Sequence, residues 1–343
     1  GACKEILSRG AVVDIGILPQ VIWAPTQDPG PYITAPLVVT KDPETGRRNV
    51  GTYRLQMKGP QRLGLYVGGA QHAARHIRQY DARKENMPVA IAVGVGPTIV
   101  LASITKFTYG TDEFAVAGGL RGEAVPLVHC ETVHLEVPAH AEIVLEGIIR
   151  AGHREPEGPF GEFSGYMSPG GETPVIEMTC MTRRREPGYH SFLGQMPPSE
   201  SSCIRSLSRS AGLFHHLKQV LGMPVRDVHF TESGGASSIL VISMTKEYPE
   251  QVKEVAWGAW SLMNKEGKFT IVVDDDIDVR DPFQVEWAMS FRAQPGRDTF
   301  MVNGVVPSGV DPSTAPPDIP QHDPRRRAGS KILIDATRKH TYP

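Results

Sequence analysis

The chain has 343 residues, 40% of them hydrophobic, which is enough to bury substantial cores and to fill two domains. Lys plus Arg number 36 against 38 Asp plus Glu, a formal net charge of -2, so no strong field recruits nucleic acid or an anionic membrane. The four cysteines, Cys3, Cys130, Cys180 and Cys203, lie far apart without a CxxC pair, which argues against a zinc knuckle and a disulfide framework and fits a reducing cytoplasm. No apolar run approaches the roughly 20 residues that span a bilayer, and Gly1 to Arg9 has no signal-peptide core. The first residue is not Met, which points to a trimmed or partial N-terminus.

In chain order, the first two hundred residues are a succession of short β-branched runs. ITAPLVVT, GTYRLQMKG, LGLYV, VAIAVGV, IVLASIT, LVHCETVHLEV, AEIVLEGII and VIEMTCMT are separated by Gly, Pro or Asp, the pattern of an antiparallel barrel or sandwich. One helix interrupts them, over Gln71 to Ala82. After Met196 the pattern changes. Helices are expected over Ile204 to Leu221 and Glu247 to Lys265, the second with Val252, Val255, Ala256, Ala259 and Met263 at helical spacing. SSILVISM and KFTIVVDDD read as strands, so a separate α/β domain follows a boundary at Pro197 to Ser202. Gly304 to Ala328, dense in Pro, Asp and Arg, reads as a long loop.

Several motifs carry little. His72 and His76 have the i, i+4 spacing that places two imidazoles on one helical face, but the acid of an HExxH protease is missing. Gly94 and Gly96 lack a third glycine at the dinucleotide offset. Asp274, Asp275, Asp276 and Asp278 could hold a metal but read more simply as a solvated turn, and Arg325 to Arg327 as a solvated charge run.

Two groups carry more. Glu157 and Glu162 flank Gly-Pro-Phe-Gly, a segment too rich in Gly and Pro for helix interior. By itself the stretch is a surface turn with two solvated acids. A loop holding the two acids at different depths would separate their pKa values and supply both a general acid and a charge partner. Asn49, Arg54, His72 and Glu113 each occur beside short strand or helix signals. Asn, His and Glu make a mixed oxygen and nitrogen set suited to Mn²⁺ or Mg²⁺ more than to zinc, of the kind that bridges protein to phosphate.

The stretches DPGPYITAPLVVTKDPETGRRNVGTYRLQ, AQHAARH, YGTDEFAVAGGLRGE, VHCETVHLEVPAHAEIVLEG, EPEGPFGEFSGY and VVDDDIDVRD occur in the order of the UbiD family of decarboxylases, which the chain resembles along nearly its whole length. The resemblance implies an α+β fold: a split β-barrel binding prenylated FMN over 1–200, then an α/β C-terminal domain over 201–343 for oligomerisation and a cofactor phosphate contact. It implies that Asn49, His72 and Glu113 hold a divalent ion, Mn²⁺ or Mg²⁺, against the flavin phosphate. Backbone oxygens near Val50, Ala102, Ser103 and Thr105 fall where the family binds K⁺. Lys265 and Gln71 match further cofactor contacts. Arg54, Glu157 and Glu162 match the catalytic group: Arg54 orients the substrate carboxylate, Glu157 pairs with Arg54, and Glu162, partly desolvated, is the proton donor.

The activity so implied is reversible non-oxidative decarboxylation of an aromatic or α,β-unsaturated carboxylic acid, hydroxylated aromatic acids among them. A flavin prenyltransferase would supply the cofactor, and the chain would form a homodimer or higher homo-oligomer in the cytoplasm. Family members usually carry a further α/β domain before the barrel, so that domain is expected either to be cut away or to sit on a separate chain. Two rival readings are a non-catalytic or partial flavin-binding subunit of a multi-subunit carboxylase, and a hydrolase using Glu157 and Glu162 across a glycosidic bond.

Overall fold

The computed structural model describes residues 1–69, 71–314 and 328–340. Most of the expected loop at Gly304 to Ala328, and all of Arg325 to Arg327, lies outside the described residues. The chain forms two compact units, one of residues 1–161 with 168–193, the other of 162–167 with 194–343.

The strands before residue 194 are β1 (Ile6–Arg9), β2 (Tyr32–Ile33), β3 (Leu37–Lys41), β4 (Arg48–Thr52), β5 (Leu55–Met57), β6 (Arg62–Leu65), β7 (Met87–Val93), β8 (Leu127–His129), β9 (Glu136–Pro138), β10 (Ile143–Glu157), β11 (Phe160–Gly161), β12 (Met167–Ser168) and β13 (Gly171–Arg183). Helices α1 (His72–Arg83), α2 (Pro97–Ile104) and α3 (Glu113–Arg121) interrupt them. The main sheet of the first unit is a curled half-barrel in the order β2-β5-β6-β13-β10-β7-β3-β4, with β1 also on β13. Its pairings are antiparallel.

Strand periodicity divides the core in two. Along β7, Met87, Val89, Ile91 and Val93 join one cluster, which includes Ala73 and Ile77 of α1. The alternate Ala90 and Ala92 face a second, with Ile99 and Ala102 of α2 and Phe114 and Ala117 of α3. A sheet covered on both faces needs small residues where helices approach closely, and alanine supplies them.

The second unit contains α4 (Glu200–His215), β14 (Val225–Phe230), β15 (Ile239–Met244), α5 (Gln251–Leu262), β16 (Phe269–Asp274), α6 (Pro282–Arg292), α7 (Pro295–Asp298), β17 (Thr299–Val305) and β18 (Gly329–Asp335). Its sheet runs β14-β15-β16-β18-β17, parallel through β15, β16 and β18 and antiparallel at both edges. Leu240, Ile242 and Val272 pack with Val252, Val255, Ala256 and Ala259 of α5, whereas Val241, Ile271 and Val273 pack with Val285 and Ala288 of α6. This is the α/β layer expected from the sequence.

Three local expectations are corrected. The strands are interrupted by three helices and not one, since α3 starts at its own N-cap, Asp112. IVLASIT forms helix, not strand, because Gly96 is extended at the N-cap and Pro97 starts α2 with its φ already set. LVHCETVHLEV is not one strand but the β8–β9 pair with a turn between them.

Candidate active site

Arg54 stands between β4 and β5, and Glu157 ends β10. Arg54 Nε and Nη2 donate to Glu157 Oε1 and Oε2 at 3.0 and 3.2 Å, and the two side chains are only 10% and 0% exposed. Such a forked pair is the geometry that makes burial of both charges tolerable. Ser168 Oγ accepts from Arg54 Nη2 at 3.4 Å and from the Phe160 N–H at 3.3 Å, tying the pair to the following loop. The guanidinium lies 3.8 Å from the centre of the Tyr66 ring and 4.7 Å from that of Phe160. Tyr32, fully buried, packs its ring 4.5 Å from Phe160. Burial first, and the charge of Glu157 second, push its phenol well above the usual range. The backbone turns directly after Glu157 at Gly158, whose φ of +80° and whose absent Cβ, which would meet Gly170 at 2.7 Å, both require glycine.

A second cluster gathers around β4. Glu113 opens α3 behind the Asp112 N-cap, whose carboxylate accepts from the Phe114 N–H at 2.9 Å. Arg48 pairs with Asp112 at 2.7 Å, fixing the helix start to β4. Glu113 Oε2 then accepts from the Val50 N–H at 3.0 Å. Burial raises the Glu113 pKa to about 7. Asn49, 4% exposed, donates from Nδ2 to the Tyr53 hydroxyl at 3.3 Å, which leaves its carboxamide oxygen as the group to offer a cation. Gly51 permits this, since a Cβ there would lie 2.3 Å from the Tyr53 oxygen.

His72 is the first residue of α1, half-buried, and burial holds its imidazole toward the neutral form. His76, one turn on, is consumed by hydrogen bonds to Thr40 and Tyr109, so the pair is no bis-histidine site. A carboxylate, a carboxamide oxygen and a neutral imidazole fit a hard divalent ion.

The end of α2 carries the other candidate oxygens. Ser103 donates to Val100 O at 2.8 Å and shares a hydrogen bond with Thr52, while Thr105 donates to Leu101 O at 2.7 Å. Ala102 O accepts from the Thr105 N–H at 3.3 Å. This is the carbonyl-rich, negative end of a helix, suited to a monovalent cation. Gln71 Oε1 accepts from the Gly68 N–H at 2.6 Å, which shapes the approach to α1.

Glu162 and Lys265 belong to the second unit. Glu162 opens a tight turn, its N–H donating to Tyr166 O at 2.9 Å, and is half-buried. Arg205 lies 4.3 Å from the Phe163 ring. Burial, then Arg209, push its guanidinium down to about 10, with Glu162 opposing. Lys265 sits in a loop whose carbonyls at Met263 and Glu266 accept from Lys331 Nζ at 2.9 and 2.6 Å. Two acids of the run at the end of β16 are held in ion pairs, Arg292 binding Asp274 and Asp276 at 3.1 and 2.6 Å and Arg338 binding Asp276, while the exposed Asp275 accepts from the Thr245 hydroxyl at 2.9 Å. Among the described residues no group of three His, Cys, Asp or Glu could hold a metal, and no helix is long and apolar enough to cross a membrane.

Sequence reasoning missed Tyr32, Tyr66, Ser168, Tyr53 and Tyr109. All but Tyr53, whose partner Asn49 is four residues away, act through a contact between residues distant in sequence. Tyr66 in LGLYV and Tyr109 in YGTDE did stand within stretches already singled out.

Residues 1–197 match the UbiD family, described as the 3-octaprenyl-4-hydroxybenzoate carboxy-lyase Rift-related domain, and residues 202–336 match the C-terminal domain of the same carboxy-lyase. The chain belongs to the UbiD family, a family of carboxy-lyases. An uncharacterized protein of Archaeoglobus fulgidus is 34% identical over 98% of this chain and 67% of its own length. Another, from Synechocystis, is 34% identical over 98% of this chain and 65% of its own length. The chain thus spans about two thirds of the length of these curated relatives.

Among solved structures, the UbiD-class enzyme HmfF of Pelotomaculum thermopropionicum, in complex with FMN, is 37% identical with a TM-score of 0.90 over the whole of this chain and 74% of its own. An evolved dimeric form of HmfF with prenylated FMN is 35% identical with a TM-score of 0.87 over 100% of this chain and 74% of its own. The vanillic acid decarboxylase of Sedimentibacter hydroxybenzoicus is 29% identical with a TM-score of 0.87 over 100% of this chain and 71% of its own.

Proposed function

We propose that this chain catalyses the reversible, non-oxidative decarboxylation of an aromatic or α,β-unsaturated carboxylic acid with prenylated FMN as cofactor. The observation that carries the reading is the forked Arg54–Glu157 pair, buried beneath Tyr66, Phe160 and Tyr32. A hydrolase needs a free carboxylate to attack or to activate water, and both Glu157 oxygens are already engaged by Arg54. The FMN and prenylated FMN in the HmfF structures support the cofactor, and the vanillic acid decarboxylase supports an aromatic acid.

Prenylated FMN, when bound, would supply the electron sink, which no amino-acid side chain offers, for the electrons left on the substrate carbon as CO₂ departs. The protein's own residues do the rest. Arg54, its plane fixed by Glu157 and by the aromatic rings, orients the substrate carboxylate while the apolar lining keeps water out. Glu162 holds a proton, delivers it to the carbon once CO₂ has left, and takes it back in the carboxylation direction. Asn49 Oδ1, His72 and Glu113 would hold Mn²⁺ or Mg²⁺. Oxygens of Val50, Ala102, Ser103 and Thr105 would hold K⁺. Lys265 would make a charge-assisted contact to the cofactor phosphate, and Gln71 a further contact. A flavin prenyltransferase would provide the cofactor, and the active assembly would be a cytoplasmic homodimer or larger homo-oligomer; the evolved HmfF is described as dimeric.

The roles separate experimentally. Glu162→Gln should lose about 10²–10⁴-fold in turnover while retaining cofactor. Glu113→Ala and His72→Ala should lose cofactor and metal. Equal cofactor occupancy in all three variants, measured by released-flavin mass and absorbance, would contradict the assignment.

A further inference from the structure

The face of α1 that carries His72 is organised around one phenol. Residues 72, 75, 76 and 79 lie at i, i+3, i+4 and i+7, a single stripe. His72 meets the Tyr109 ring edge-on, with centroids 5.2 Å apart and planes at 88°. The Arg75 guanidinium covers the face of that ring at 3.9 Å. His76 Nε2 bonds the Tyr109 oxygen at 3.0 Å, and Gln79 Nε2 donates at 3.3 Å to Asp42 Oδ2. The Tyr109 hydroxyl donates to that same Asp42 oxygen.

The direction of every bond in this chain follows from its acidic end. Asp42, 2% exposed, also accepts from the Glu44 and Thr45 N–H groups at 2.8 and 3.0 Å, and an ionised carboxylate only accepts. Tyr109 therefore gives its proton to Asp42 and accepts from His76 Nε2–H. His76 Nδ1 is then an acceptor, and takes the Thr40 hydroxyl proton at 2.9 Å. Thr40, His76, Tyr109 and Asp42 form a one-way, fully satisfied chain, which fixes the Tyr109 ring through its oxygen.

His72 has no such tether: among the described residues neither ring nitrogen has a hydrogen-bond partner. Metal-binding histidines are usually oriented by a carboxylate or carbonyl on the nitrogen away from the metal. Here the wall is aromatic. We infer that Tyr109, anchored by Asp42 and His76, is the positioning residue that sets the His72 imidazole for the divalent ion. The inference rests on the divalent site proposed above, of which it names the supporting part.

The test is Mn²⁺ binding to the full-length protein with FMN, followed by electron paramagnetic resonance, with the nitrogen modulation of a coordinated imidazole read on the bound ion. Wild type should bind Mn²⁺ with that signature, and His72→Ala should lose it. Tyr109→Leu, which removes the wall, should weaken Mn²⁺ by about 10–100-fold and diminish the nitrogen signature at saturating metal, with a cooperative melting transition retained. Tyr109→Phe keeps the ring without its tether and should fall between Leu and wild type, a graded rescue that a general packing defect would not give. If wild type binds Mn²⁺ through His72 while Tyr109→Leu matches its affinity and nitrogen signature, the positioning role is overturned and the divalent site stands. If wild type shows no imidazole on Mn²⁺, the divalent site fails, and the role of Tyr109 fails with it.

Discussion

Arg54 and Glu157 show how much one contact decides. Burying either charge alone costs several kcal/mol, so each side chain is tolerated only because the other is there. Glu157→Ala should therefore destabilise the fold by about 3–5 kcal/mol in denaturant titration, whereas the apolar pair Arg54→Met with Glu157→Leu should recover most of that loss while remaining inactive. A single substitution within about 0.5 kcal/mol of wild type would mean that the pair is solvated, not buried. His76 makes a different residue-scale prediction. Burial holds its pKa at about 4, against about 6.5 in an unfolded chain, with Asp42 opposing that shift and His72 and Arg75 adding to it. A depressed histidine binds fewer protons folded than unfolded, so its contribution is complete above about pH 6.5 and is lost as pH falls toward 4. Wild type should lose roughly 2 kcal/mol more stability than His76→Gln between pH 7 and pH 5; parallel losses would contradict a neutral, buried His76.

Elements position these residues. Helix α3 begins where it does because Asp112 caps it and Arg48 ties that cap to β4, which sets Glu113 against the Val50 N–H. Asp112→Ala should cost about 1 kcal/mol and weaken divalent-metal retention, although Asp112 is not among the proposed ligands; unchanged metal affinity would separate the cap from the site. The sequence made some of this readable. Asp112 before EFAVAGGLR, with Gly122 after it, is a start and stop signal that a strand-focused reading passed over. IVLASIT was ambiguous on physical grounds: an apolar run of that length carries no period that separates strand from helix, and only Gly-Pro before it breaks the tie. The β7 run and the α5 spacing were readable because each kept its period.

At the scale of the molecule, long ordered motifs gave the family and both domain types, since dozens of residues had to agree. Single contacts were not legible from spacing: Glu157 was paired with Arg54 only through the family resemblance, and nothing in the sequence marked Tyr109 as a partner of Asp42. The pairing of Arg54 with Glu157 joins residues 103 apart, and the Tyr109 tether to Asp42 joins residues 67 apart, so only folding brings either pair together. The match of family, fold and buried ion pair makes the modified flavin the central claim of the account. The measurement that tests it most directly is the absorbance spectrum and the intact mass of cofactor released from the full-length protein, co-expressed with a flavin prenyltransferase in the presence of Mn²⁺. The account predicts a coloured protein that releases prenylated FMN and liberates CO₂ from an aromatic or α,β-unsaturated acid. A folded, colourless protein that retains no flavin under those conditions would contradict it.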